Sequence, residues 1–131
     1  MTVHIDNFGE VVIVECEGRI VSSDAVFALR NAVTAETSAR VVVLDLSEVE
    51  AIGGGALGML AFLQRWAHTR GVRLKLFNPS RSVLLQLEQT TSIPAFEFAT
   101  LDEIFAHLSH AHAFAEAASR DQLNATGETH A

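Results

Sequence analysis

A chain of 131 residues, 49% hydrophobic and 19% charged, is the size of one domain and carries enough apolar material for a single sizeable core. Its net charge of −7 argues against nucleic acid or an anionic membrane surface as a partner, since both need a basic face. The longest apolar stretch, Ala51–Leu63, is rich in glycine and stops at Gln64-Arg65, short of the ~20 residues that cross a bilayer.

Met1–Glu10 carries Asp6 and Glu10 and lacks the basic start of a secretory signal. Cys16 is the sole cysteine, so no internal disulfide forms. A cytoplasmic, reducing setting is expected, with Cys16 a buried and inert thiol.

In chain order, Val3-His4-Ile5 and Val11–Cys16 read as two strands. Between them Asp6-Asn7-Phe8-Gly9-Glu10, with its Asn and Gly, signals a hairpin. Gly18 is expected to end the second strand. Ser22, Ser23 and Asp24 offer side-chain oxygens to cap a helix over Ala25–Thr34, whose Val26, Leu29 and Val33 recur at helical spacing. Val41-Val42-Val43-Leu44 reads as a strand buried on both faces and ending at Asp45.

Gly53, Gly54 and Gly55 open a second helix that runs to about His68, with Leu57, Leu60, Leu63 and Trp66 or Ala67 inward and Gly71 as its C-cap. Glycine inside a helix costs up to ~1 kcal/mol relative to alanine. The triple glycine therefore predicts positive φ angles or the close approach of another backbone or a ligand.

Val72–Phe77 alternates as a strand with one apolar and one polar face, and Asn78-Pro79-Ser80 turns into a short helix, Arg81–Gln89, with Val83, Leu84 and Leu87 apolar. Pro94 precedes a brief strand, Ala95–Phe98. Thr100 and Glu103 have capping-box spacing for a last helix that buries Leu101, Ile104, Phe105 and Leu108. The fold class is α/β: a single mixed sheet of about five strands, an N-terminal hairpin plus parallel strands, with about four helices. The domain spans residues 1–113; the polar tail, 114–131, is expected to be disordered.

Among the chemistry-bearing candidates, Gly53–Gly58 satisfies G-x-G-x-x-G between a strand and a helix. A dinucleotide site also wants an acidic residue ending the next strand, and that strand ends in Phe77-Asn78-Pro79. Close packing at a helix start is the better reading. His107, His110 and His112 lack a thiol or carboxylate to complete a metal set and read as a solvated helix end. His4 reads as structural. Asp45 reads as the cap of the following turn, and Glu48 and Glu50 as a solvated acidic spot. No nucleophile has a base at motif spacing, the sequon at Asn124 has no meaning in a cytoplasmic tail, and neither catalytic residue, metal nor cofactor is expected.

The order of elements and the central motif resemble the STAS domain, shared by anti-sigma factor antagonists and sulfate transporter tails, over about Val3 to Leu108. Asp45-Leu46-Ser47 stands where that family has D-L-S, and Leu57-Gly58-Met59-Leu60 completes its helix-opening motif. Gly18-Arg19-Ile20 resembles its G-x-L, and Gly71-Val72-Arg73-Leu74 its G-x-x-L. Where the family has D-S-S-G, this chain has Gly53, Gly54, Gly55 and Ala56. The phosphorylated serine falls on Gly54, the preceding aspartate on Gly53, and a second family aspartate on Val21.

The resemblance thus implies a bacterial signalling domain that binds an anti-sigma factor or serine-kinase-like partner in transcription control, without the phosphorylation switch. Its implied groove is framed by Ser22, Ser23 and Asp24 and by Gly53, Gly54, Gly55, Ala56, Leu57 and Gly58, with Met59 and Phe62 as apolar contacts. Two other readings stay open. One is a module whose glycine amides hold an anion, nucleotide or lipid headgroup; the other is a STAS-like subunit of a lipid or solute transport complex. Pairing with a second copy is a further possibility.

Overall fold

Runs of β-branched and leucine side chains at Val11–Val14 and Val41–Leu44 leave no polar face for water, so both segments are driven to the middle of a sheet. In a computed structural model, which describes residues 1–36, 38–89 and 96–106, they lie side by side within β2 (Val11–Ile20) and β3 (Val41–Ile52). The sheet has five strands in the order β1 (Thr2–Phe8), β2, β3, β4 (Arg73–Phe77) and β5 (Glu97–Ala99). β1 is antiparallel to β2, and every later pair is parallel.

Each parallel step is made through a helix: α1 (Ser23–Thr34), α2 (Gly54–Thr69) and α3 (Arg81–Glu88). The strands advance across the sheet in one direction, so crossovers of a single hand put all three helices on one face. Val12, Val14, Val42 and Leu44 of the sheet there share a core with Leu29 of α1, Leu63 of α2 and Val83 of α3. On the opposite face Val43 packs with Ala99 and with Ile104 of a fourth helix, α4 (101–106). The expected mixed sheet and its helices are present.

Local signals account for most boundaries. The hairpin turn is Gly9-Glu10, with Gly9 at φ +74°, so β1 runs three residues further than Val3–Ile5, to Phe8. Ser22 Oγ accepts from the Ala25 N–H at 3.1 Å and Ser80 Oγ from the Val83 N–H at 3.3 Å, capping α1 and α3. α2 ends as expected: Gly71 is left-handed at φ +70°, and the Val72 N–H reaches back to the Ala67 carbonyl at 2.8 Å.

Three expectations are corrected by long-range contacts. β3 does not end at Asp45 but continues to Ile52, because β2 passes through Gly18 and pairs with it as far as Ile20. Two register shifts, at Glu15/Glu17 and Gly18/Arg19, each place one extra residue in β3. Leu46, Val49 and Ile52 are therefore buried at a spacing of three, which strand alternation would forbid. Gly18, at φ +99°, serves the second shift rather than a strand end.

The polar face of β4 is not solvated: Lys75 is only 5% exposed. Its Nζ meets Glu103 Oε2 of α4 at 2.8 Å and Glu97 Oε1 of β5 at 3.7 Å. In α4, Thr100 Oγ1 accepts from the Glu103 N–H at 3.1 Å as the spacing predicts, and Ile104 is buried. Leu101 and Phe105 are exposed instead, one turn apart on a stripe rotated off the contact with Val43. Pro94, Ala95, Leu108, the three histidines from His107 to His112, Asn124 and the tail lie outside the described residues.

Candidate functional site

The ends of β2 and β3 lie in register, Ile20 beside Ile52, so the chain segments leaving them start side by side. Gly53 N–H donates to the Ile20 carbonyl at 3.0 Å and draws the start of α2 against the start of α1. Gln86 of α3 supports the same corner, its Nε2 donating to the Ile52 carbonyl at 3.1 Å. Ser22, Ser23 and Asp24 are all exposed beside this corner, with the Ser22 hydroxyl engaged in its cap. The two segments named from the sequence are brought together.

The start of α2 departs from the expected glycine geometry. Gly53 is an extended N-cap at φ −101° and ψ 179°, and none of Gly53, Gly54, Gly55 or Gly58 has a positive φ. Nor is the tip closely packed. A Cβ on Gly54 or Gly58 would meet nothing within 4 Å. One on Gly55 would lie 3.8 Å from Val26 Cγ2, and one on Gly53 3.6 Å from Val21 Cα, both ordinary contacts. No side chain caps this helix and no acidic residue lies in its first turn. The first-turn amides, which a helix cannot satisfy internally, therefore face outward at its positive end.

Not every residue of the expected groove is available. Gly54, Gly55 and Gly58 are exposed and Leu57 is half-buried, but Ala56 and Met59 point into the core. The 3.6-residue period explains this, since positions 56, 59, 60 and 63 share the face that covers the sheet. Phe62 remains exposed, with the Arg30 guanidinium 5.0 Å from its ring centroid. Val21 is exposed against Gly53, so both positions of the expected family carboxylates carry no charge here.

Asp45 caps its own bend: Oδ1 accepts from the Ser47 N–H at 2.9 Å and from the Ser47 hydroxyl at 2.5 Å. Asn78, at φ +50°, donates through Nδ2 to the same hydroxyl at 3.2 Å, tying the turn after β4 to β3. Asp45-Leu46-Ser47 thus fixes the first register shift. Burial, and secondarily the nearby Asp45 charge, push the Cys16 thiol up to about 12. At pH 8 the thiolate is then scarce, and native Cys16 should resist iodoacetamide until the chain is unfolded, read by the mass of the alkylated protein.

Sequence reasoning missed one grouping. The β1–β2 register sets His4 opposite Glu15, and His4 Nε2 lies 3.3 Å from Asp6 Oδ1. One donor atom from each of the three residues falls within 4.8 Å of the others, the sole such set with metal-ligand chemistry among the described residues. Cross-strand register was the missing information, because the hairpin was expected without its two-residue turn being placed.

Several known structures share this arrangement. An anti-sigma factor antagonist from Mycobacterium paratuberculosis matches over 82% of this chain and 93% of its own, at 22% identity and a TM-score of 0.67. The Bacillus cell fate determinant SpoIIAA, in its phosphorylated form, matches over 82% and 99%, at 15% identity and a TM-score of 0.63. Part of the murine anion transporter Slc26a9 matches 77% of this chain, which spans 18% of that transporter, at 18% identity and a TM-score of 0.62. At these identities the likeness is one of fold. No curated protein matches the sequence significantly. No helix among the described residues is long and apolar enough to cross a membrane. The sequence pattern of the family described as "Mlab, STAS domain" matches residues 3–91, and with the sheet order, the paired helix starts and the glycine tip in place, the chain belongs to the STAS domain family.

Proposed function

We propose that the protein is a non-enzymatic binding domain that docks an anti-sigma-type serine kinase or a related ATPase-fold protein at the glycine-led start of α2. Ser23, Asp24, Gly54, Gly55 and Gly58 are its open contacts. The observation that carries this reading is the gap between what the fold needs and what the chain has. Gly54 and Gly58 have room for a side chain, and each weakens the helix by ~1 kcal/mol relative to alanine. Among the described residues nothing uses the bare backbone they leave. A partner backbone laid across the tip does, and it reaches outward-facing amides at the positive helix end.

Phosphorylation adds nearly two negative charges, which is how such a docking face can be switched. Gly54 has no hydroxyl, so the contact is constitutive. The test is incubation with such a kinase and ATP, read by intact mass and peptide mapping. The expected outcome is no phosphate on Ser22, Ser23 or Ser47, while Gly54→Ser, which has space for its side chain, becomes an acceptor. Phosphate on one of the native serines, with release of the kinase, overturns the constitutive reading.

A second reading, a subunit of a transport complex, draws on the likeness to a segment of an anion transporter. Purification with an ATPase subunit of a transporter, in place of a kinase, selects it.

A further inference from the structure

The outer side of the α1–α2 pair carries chemistry that the glycine tip does not use. Phe27 is 55% exposed and Phe62 39%, while Trp66 is half-buried. The Arg30 guanidinium of α1 lies 5.0 Å from the Phe62 ring centroid, and that of Arg70 lies 5.4 Å from the ring of Trp66. Phe62, Arg65, Trp66, Thr69 and Arg70 line an open hollow of about 460 Å³.

The charge pattern is as unusual as the aromatics. In a chain of net charge −7, Arg40, Arg73 and Lys75 each lie against a glutamate. Arg19, Arg30, Arg65, Arg70 and Arg81 have no carboxylate within 4.0 Å among the described residues, and three of these five, Arg30, Arg65 and Arg70, sit on this pair of helices. No Asp or Glu occurs anywhere in α2. Cations at the end of α2 complement its dipole, but Arg30 belongs to the neighbouring helix and has no such role. A ring beneath a guanidinium holds it flat and leaves its N–H edge open, so little side-chain freedom remains to be lost on binding. Exposed Phe and Arg beside a half-buried Trp around a hollow are the residue types that anchor protein contacts.

We propose that this face binds an acidic amphipathic protein segment, its carboxylates on Arg30, Arg65 and Arg70 and its apolar side chains in the hollow against Phe62 and Trp66. Charge complementarity selects the occupant: three unpaired cations are gathered on one face of an otherwise acidic protein. An anionic membrane would need a broad basic surface, and the remaining charge of the chain would repel it. The hollow begins about two helical turns from Gly54, and the inference does not rest on the glycine tip.

Trp66 is the single tryptophan and the chain has no tyrosine, so its emission reports on the hollow directly. The probe is a synthetic helical peptide of alternating Glu and Leu faces, free of Trp and Tyr, compared with its Gln-for-Glu counterpart and with vesicles of phosphatidylcholine and phosphatidylglycerol. The Glu peptide should change Trp66 emission saturably, and its binding should weaken as salt is raised above ~0.1 M, where the screening length falls below ~10 Å. Binding should fall roughly tenfold for the Gln peptide and for Arg65→Gln with Arg70→Gln.

Far-UV circular dichroism confirms that the exposed substitutions leave the fold intact. Gly54→Gln, which adds no charge, should leave peptide binding unchanged, which separates this face from the tip. Equal binding of the two peptides, or indifference to the arginine substitutions, overturns the proposal. A response to anionic vesicles without one to the Glu peptide overturns it in favour of a lipid surface.

Discussion

Replacing Glu97 and Glu103 together by alanine should destabilise the protein by about 3 kcal/mol, a large share of the ~5–15 kcal/mol that holds a domain of this size folded. The reason is Lys75, whose side chain is 6% exposed in the middle of β4 and whose ammonium lies between these two carboxylates. Removing one glutamate leaves the other and should cost less. Removing both leaves a buried charge without compensation, which is the costly situation. Loss of the exposed Arg73–Glu97 pair adds little.

Lys75→Met in the double-alanine background should recover most of the loss, because a side chain of similar shape then needs no counter-charge. Urea titrations of the original protein, the two single-alanine variants, the double-alanine variant and its Lys75→Met derivative measure this. If the double-alanine protein is as stable as the original, the ammonium has reached water by another route and the ion pairs do not tie α4 and β5 to the sheet.

Gly54→Gln should have opposite effects on folding and binding. The position is exposed, its φ is ordinary and a Cβ there meets nothing, so the substitution removes the conformational freedom of glycine from the unfolded chain. Stability should rise by ~0.5–1 kcal/mol, seen as a melting temperature a few degrees higher. Binding to the kinase or ATPase-fold partner should fall by ~2 kcal/mol or more, roughly thirtyfold, because a long side chain stands where a backbone is to be laid. Gly58→Ala should give the same stabilisation with a smaller loss of binding. Calorimetric titration of both variants decides the matter, and full binding by Gly54→Gln would mean that the tip is not the docking face.

The glycine tip and the arginine-aromatic hollow divide α2 between its two ends. The first presents backbone donors at a positive helix terminus; the second presents side-chain cations at the opposite end. Both lie on the outer side of a helix whose inner face, at Ala56, Leu60, Leu63 and Ala67, is consumed by the core. A helix with one face committed to the sheet can still offer two separate contacts along its exposed length.

Short-range signals were sufficient for much of this protein. Ser22, Ser80 and Thr100 cap helices and Gly9 and Gly71 take left-handed turns, because caps and turns are decided by atoms a few residues away. The order of strands and helices, and with it the family, was legible for the same reason. What the glycines of the tip do was not: positive φ angles or a close approach were expected, and the tip has no positive φ and only ordinary contacts within the molecule. Whether a glycine is crowded depends on what other elements bring beside it.

The tertiary structure also decided how far β3 runs, since two register shifts against β2 turn a two-residue period into a three-residue one. It decided that Lys75 is buried, because α4 and β5 arrive over it from later in the chain. It alone set His4 beside Glu15 and Arg30 above Phe62. Each of these rests on how two separate elements meet, and residue spacing along one carries no record of the register in which another will meet it.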